Sequence, residues 1–369
     1  MDCDYLVVGA GLTGATMARV LADQGQRVLV VDRRPHLGGN VHDFAHPSGI
    51  RVHAYGPHYF RTSSQEVWDF VTRFGDFYPF EAVLMSHVDG RFEHWPVQDE
   101  YIRRTLGDGW RPSPADSPAN FEEASLAMMP RPIYEKFVKS YTEKQWGVEA
   151  RTLSADLAGR FDVRIDGDVR LKGSRWQGIP LDGYAGLMER MLAGVPVLLN
   201  TGFAEIRSHV VPRKLTIHSG SIDEYFGFDL GRLQYRAQRR EHEYMPGVDR
   251  LFPAPQVNFP AWEDGPHIRA IEWKQIMPAQ YRDAIKGTVV TREYPYTPTS
   301  PAEYEYPFPD ARQRALYRRY AERAATLPGV LFCGRLGEYR YYDMDQAIGR
   351  AMMLVRRLLQ GSPVPALAP

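Results

Sequence analysis

Near the start of the chain, Gly9-Ala10-Gly11-Leu12-Thr13-Gly14 has the composition of a turn that lets backbone approach a phosphate. It follows an apolar run at 5–8 and precedes a helical pattern over 15–24 that Gly25 ends. Backbone N–H groups and the helix dipole can therefore meet a pyrophosphate there. Asp32 closes the next apolar run, 28–31, at 23 positions after Gly9. A carboxylate at that place can accept from both ribose hydroxyls of an adenosine and disfavours a 2′-phosphate. Strand, glycine turn, helix and acid coincide, which predicts a dinucleotide-binding βαβ unit with Gly9, Gly11, Thr13, Gly14, Asp32 and the adjacent Arg33 as contacts.

Two further glycine turns extend this site. Gly38-Gly39-Asn40 resembles the second glycine pair of two-dinucleotide-binding flavoproteins, in which the chain passes close to the cofactor, and it favours FAD over NAD. Cys333-Gly334-Arg335-Leu336-Gly337 again joins an apolar run to a glycine turn, as expected where a returning chain meets a flavin, although a plain strand-to-helix turn has the same signature.

Five segments carry a more specific resemblance: Tyr55-Gly-Pro-His58-Tyr-Phe, Tyr141-Thr-Glu-Lys-Gln-Trp146-Gly, Gly220-Ser-Ile-Asp223-Glu-Tyr-Phe226, Leu233-Gln-Tyr235-Arg236, and the long run from Gly334 through Tyr341 and Asp343 to Asp345. In content and order they resemble the UDP-galactopyranose mutase family, over about residues 4–359. The resemblance implies interconversion of pyranose and furanose forms of a nucleotide sugar with no net oxidation, through a sugar adduct at N5 of reduced FAD. It also implies site residues. Arg160 and Arg269 match the two substrate arginines, Tyr306 and Tyr341 match phosphate-binding tyrosines, and Phe137, Tyr141 and Trp146 match the nucleoside end. His58, Tyr55, Arg335, Asp343 and Met344 match positions at the flavin. A departing diphosphate gains negative charge, so fixed cations and phenol donors suit it.

The chain departs from the family in recognition positions. Arg61 stands where a second His is usual, Ala82 where an Asn contacts the sugar, and Gly167 and Leu171 where aromatic residues help grip the phosphate or nucleoside. An aromatic pair near the base is reduced to Phe137-Val138. Phosphate contact is then expected to pass to Arg164 or Arg170. The reaction class follows from the resemblance, whereas the base and the sugar do not. Two other functions stay open at this point: an amine oxidase or desaturase type of flavoenzyme sharing the first lobe, and a non-catalytic binder of FAD and nucleotide sugar.

The rest of the chain must position these groups. The length of 369 residues exceeds what one hydrophobic core usually supports. The expected class is α/β: a discontinuous Rossmann-like FAD-binding domain (1–78, 184–225, 312–360), a helical lobe (96–158), an antiparallel-sheet substrate lobe (79–95, 159–183, 226–311) and a disordered tail (361–369). Within it, strands are expected at 195–199 and 210–217, a hairpin around Asp89-Gly90, and helices over 120–141 broken near Pro130 and Pro132. The 45 basic residues balance 45 acidic ones, which gives no global electrostatic case for nucleic acid or membrane as partner. No signal or transit pattern precedes the first strand, so a cytoplasmic protein is expected. Arginine far outnumbers lysine, pointing to a GC-rich bacterial genome. Cys3 and Cys333 are expected to be buried and inert, and no metal site is expected. The expected partners are a nucleoside-diphosphate sugar and a reductant such as NAD(P)H, with a homodimer as one arrangement open to the protein.

Overall fold

The structure, a computed structural model, describes residues 2–111, 113, 117–161, 163–171 and 173–361; the tail from 362 onward lies outside the described residues. Tyr5–Val8 and Val28–Val31 are short runs of β-branched and other apolar residues, buried at every position. Strands of that kind suit the interior of a parallel sheet covered on both faces. They form the centre of a five-stranded parallel sheet, in the order Val197–Leu198, Val28–Val31, Tyr5–Val8, Leu215–His218, Val330–Phe332. Helix Leu12–Asp23 packs beside the C-terminal helix Met344–Leu359, and the apolar face of both joins the main core.

The first helix begins three residues before the expected start, so the glycine turn feeds directly into it. Gly9 has φ +105°, and a Cβ on Gly14 would lie 1.9 Å from the Gly9 carbonyl oxygen, so close helix–strand packing requires glycine there. The strand expected at 210–217 is confined to Leu215–His218, after a short helix at Phe203–Ile206. Pro130 separates helix Phe121–Met128 from the next helical stretch, whereas Pro132 sits inside that stretch's first turn, where a missing N–H costs nothing. From Arg131 the chain stays helical to Trp146, through a π-helical turn at Tyr134–Lys139.

A seven-stranded sheet forms the second layer: Tyr306–Pro307, Tyr235–Met245, Thr288–Tyr296, Arg269–Glu272, Gln256–Asn258, Leu84–Val88, Arg91–Trp95. Its pairs are antiparallel except that Gln256–Asn258 runs parallel to Leu84–Val88. The last two strands are the hairpin at Asp89-Gly90, with Asp89 at φ +52°. Register matters here. Arg240 is opposite Glu293, Glu293 opposite Arg269, and Arg269 opposite Asn258, so four polar residues form one row across four strands, on one face. A three-stranded sheet, Phe60–Thr62, Trp176–Pro180, Phe77–Pro79, carries Arg61.

Candidate active site

Two cavities meet in the fold. The smaller, about 200 Å³, follows the glycine turns: Gly9, Gly11, Thr13, Asp32, Arg33, Gly39 and Gly334 line it. The larger, about 780 Å³, lies over the polar row of the seven-stranded sheet. Asn40, His58, Arg335, Tyr342 and Met344 line both and mark the junction.

The smaller cavity fits a dinucleotide. Asp32 Oδ2 accepts the Ala10 N–H at 2.7 Å and Oδ1 accepts that of Arg34 at 2.8 Å, which fixes the carboxylate while leaving lone pairs on both oxygens. A Cβ on Gly39 would lie 3.0 Å from the Gly11 Cα, so the two glycine turns touch and leave a backbone-lined groove. Gly334, with φ +76°, packs against the Thr13 side chain. Arg33 forms a two-pronged ion pair with Glu224. Arg34 donates to Asn40 Oδ1 at 2.8 Å and lies 4.5 Å over the ring of Tyr55, which ties the second glycine turn to the His58 segment.

At the junction, His58 is buried, and burial, helped by His53 and Arg335, pushes its imidazole down to about 3. It is neutral at physiological pH. Nδ1 lies 2.7 Å from the Gly56 carbonyl oxygen, so that nitrogen carries the proton and Nε2 is an acceptor. Arg335 donates to the carbonyls of Glu305 and Tyr342, at 3.1 and 3.0 Å, and its guanidinium lies 4.7 Å over the Tyr341 ring. The rings of Tyr306 and Tyr341 are nearly parallel at 6.2 Å, both beside that guanidinium. Burial raises the Tyr306 phenol despite Arg269, so it remains a donor.

In the larger cavity the wall is a charge ladder. Arg269 donates through Nε to Glu293; Arg240 donates through Nε to the other Glu293 oxygen at 2.9 Å and, two-pronged, to Glu305 at 2.8 and 2.9 Å. Glu293 is fully buried. Burial alone would raise its pKa, but Arg269 and Arg240 outweigh it and hold the carboxyl below its ordinary range. Arg269 thus spends its Nε–H on Glu293, and its side chain lines the cavity. The helical lobe supplies the other wall: Phe137, Tyr141 and Trp146 line it, with Phe137 edge-on to Tyr101 at 5.0 Å and Trp146 edge-on to Phe308 at 5.6 Å. Lys144, pushed down to about 8 by burial, donates to the carbonyls of Phe259, Ala261 and His267 and so fastens this helix to the segment leading into Arg269.

Most of the expected residues therefore converge, but Arg170 and Gly14 line neither cavity, Gly14 being packed against the Gly9 carbonyl instead of facing the groove. Arg170 does not reach the cavity: it is half-exposed, clamped by Asp168 at 2.8 Å and by Glu81 at 2.9 Å. Gly167 sits in an exposed loop, whereas Leu171 does line the cavity. Arg164 lines it too, 3.8 Å from Asp168. Arg160 ends the short helix Ala155–Arg160, and its side chain lies outside the described residues. Arg61 is paired with Asp343 at 3.2 Å, and both line the larger cavity. Sequence reasoning missed Tyr59, Arg240, Gln256, Asn258, Glu293 and Glu305. Tyr59 lies in the His58 motif but was not singled out there, and Glu305 precedes Tyr306; Arg240, Gln256, Asn258 and Glu293 lie in no local motif and are brought together by strand register. Among the described residues there is no cluster able to hold a metal, and both cysteines are buried.

The family model described as UDP-galactopyranose mutase matches residues 136–341, and that of an NAD(P)-binding Rossmann-like domain matches 7–74. A dTDP-fucopyranose mutase of Escherichia coli is 30% identical over 94% of this chain and 96% of its own length. The chain belongs to the UDP-galactopyranose mutase family. A probable UDP-galactopyranose mutase of Klebsiella pneumoniae is also 30% identical, over 95% of this chain and 93% of its own. A solved structure of reduced UDP-galactopyranose mutase superposes with a TM-score of 0.77 at 16% identity, covering 100% of this chain and 96% of that one. A putative protoporphyrinogen oxidase of Exiguobacterium shares the fold, with a TM-score of 0.66 at 10% identity over 97% and 99% of the two chains. Membership makes this protein an isomerase of nucleotide sugars built on a Rossmann-like nucleotide-binding fold, and it weighs against the oxidoreductase alternative. Among the described residues no helix is long and apolar enough to cross a membrane.

Proposed function

We propose that this protein is a flavin-dependent mutase that interconverts the pyranose and furanose forms of a nucleoside-diphosphate sugar, UDP-galactose or a close variant such as dTDP-fucose. The observation that carries the reading is the placement of Arg269, Tyr306 and Tyr341 on a cavity whose other end opens, past His58 and Arg335, into a dinucleotide groove. Reduced FAD in that groove would supply the nucleophile, at N5, that holds the anomeric carbon while the diphosphate is detached.

The chain's own residues do the rest. Arg269 stabilises charge as it builds on the departing phosphate, and its buried pairing with Glu293 holds the guanidinium in place beforehand. Tyr306 and Tyr341, flanked by Arg335, offer phenol donors to the same group. Neutral His58 contributes an acceptor without adding positive charge at the junction. Tyr141 and Trp146 provide flat surfaces for the base. A reductant such as NAD(P)H would keep the flavin reduced. The test is to incubate dithionite-reduced protein with uridine, thymidine, cytidine and guanosine diphosphate sugars and to look for furanose products with no oxidant consumed. Furanose from one or more of them is expected. Tight binding with no ring exchange would mark a non-catalytic binder.

A further inference from the structure

The family's sugar-contacting Asn is replaced here by Ala82, and the amide it would supply reappears one strand away. Residue 82 leads into strand Leu84–Val88, which pairs with Gln256–Asn258 so that Gln256 lies opposite Leu84. Gln256 is 4% exposed and Asn258 6%, yet both line the larger cavity. Gln256 Nε2 donates to Asn258 Oδ1 at 3.2 Å, and Gln256 Oε1 accepts from the Tyr59 hydroxyl at 3.4 Å. Tyr59 is itself buried, stacked on Phe80 at 5.5 Å. Burial raises its phenol well out of reach of deprotonation, so it acts as a donor. Among the described residues no protein acceptor takes the second hydrogen of Gln256 Nε2 or either hydrogen of Asn258 Nδ2. Both residues are more than nine-tenths buried yet line the cavity, so the N–H groups they do not use within the protein face it, where a ligand oxygen can accept them.

Position decides which part of the ligand. Asn258 is opposite Arg269, the diphosphate end, and Tyr59 follows His58, which stands at the junction with the dinucleotide groove. The sugar lies between those two points in the reading above. A neutral amide also suits a hydroxyl better than a phosphate, which would draw a cation. We propose that Gln256 determines sugar specificity, its side-chain amide donating to a hydroxyl oxygen of the substrate's sugar, with Tyr59 as a positioning residue that fixes the amide's orientation. The assignment rests on the nucleotide-sugar reading and adds to it that the sugar must carry an oxygen facing strand Gln256–Asn258.

The test uses calorimetry on the intact FAD-loaded protein, with UDP-galactose or dTDP-fucose, whichever the wild type binds more tightly, the matching bare nucleoside diphosphate, and analogues each lacking one sugar hydroxyl. Gln256→Leu should weaken the nucleotide sugar roughly ten- to a hundredfold, the effect of stranding one hydrogen-bond partner, while FAD content and affinity for the bare diphosphate stay unchanged. One hydroxyl deletion should cost the wild type a similar factor and cost Gln256→Leu nothing further. Tyr59→Phe should show the same pattern with a smaller loss. Equal loss for the bare diphosphate, a penalty from every analogue that is the same in both proteins, or no loss at all would overturn the assignment. A wild type that binds sugar-bearing and bare nucleotides equally would overturn the nucleotide-sugar reading itself, and this assignment with it, and that result is visible before any substitution is made.

Discussion

Arg269→Ala removes the one guanidinium that the charge ladder presents to the larger cavity. Its Nε is committed to Glu293, and in the proposed reading its terminal N–H groups meet the diphosphate. Two charge-assisted hydrogen bonds to the leaving phosphate, at about 1.5–3 kcal/mol each, correspond to a rate loss of about a hundredfold or more when both are deleted. The fold should tolerate the change, because Glu293 keeps its bond to Arg240 at 2.9 Å and is not left as an unpaired buried carboxylate. FAD content should also be unaltered, since the dinucleotide groove has no contact with position 269. Arg269→Lys should recover only part of the rate: an ammonium keeps the charge but lacks the planar fork. The assay is steady-state conversion by reduced protein, with flavin absorbance and a thermal melt on the same samples. Full turnover by Arg269→Ala would refute the assignment and place the phosphate elsewhere on the wall, which Arg164 also lines.

Arg240→Met should lower stability by about 3–5 kcal/mol, because Glu305 loses both its bonds to that guanidinium and becomes a buried carboxylate without a cation; adding Glu305→Gln should restore part of it, and an unchanged urea midpoint for the single variant would contradict the ladder's role. Asp32→Ala should cut FAD retention after purification, since it removes the ribose acceptor and frees the Ala10 and Arg34 N–H groups together; undiminished flavin content would show that the acid is not at the ribose. The imidazoles of His53, His58 and His218 are each pushed down to about 3 by burial. Their unfolded counterparts titrate near 6.5, so the stability they contribute is present above that value and is lost as pH falls toward 3. Where the unfolded three are protonated and the folded three are not, the slope approaches about 4 kcal/mol per pH unit. Urea melts at pH 7 and 5 test this, and equal unfolding free energies would contradict it.

The nucleotide-binding half was legible because its signals are local. Two all-apolar strands, a glycine turn and an acid at the end of the second strand sit within the first 32 residues, and Gly14 is required by its contact with the Gly9 carbonyl inside that same unit. The family resemblance likewise pointed to residues that converge, such as Tyr341 and Asp343, the latter closing the N-terminus of helix Met344–Leu359 through a reciprocal bond with Gln346. What the sequence hid was register. Arg240, Glu293, Arg269 and Asn258 come from four strands spread over more than fifty residues, and in strand Tyr235–Met245 Arg240 is surrounded by Arg, Gln and Glu that read as a solvated face. Arg170 failed for a related reason. A cation in a polar loop gives no hint of which carboxylates will hold it, and here Asp168 and Glu81 keep it away from the cavity.

The central claim is that the flavin acts as a reduced nucleophile and not as an oxidant, and the redox state of the protein tests it most directly. Two anaerobic samples, one reduced with dithionite and then freed of reductant, the other fully oxidised, would be given the same nucleotide sugar and followed by chromatography for ring form. The account predicts many turnovers per flavin in the reduced sample, with the flavin still reduced at the end, and none in the oxidised one. Equal conversion by both, or conversion that stops after one turnover with the flavin oxidised, would contradict it.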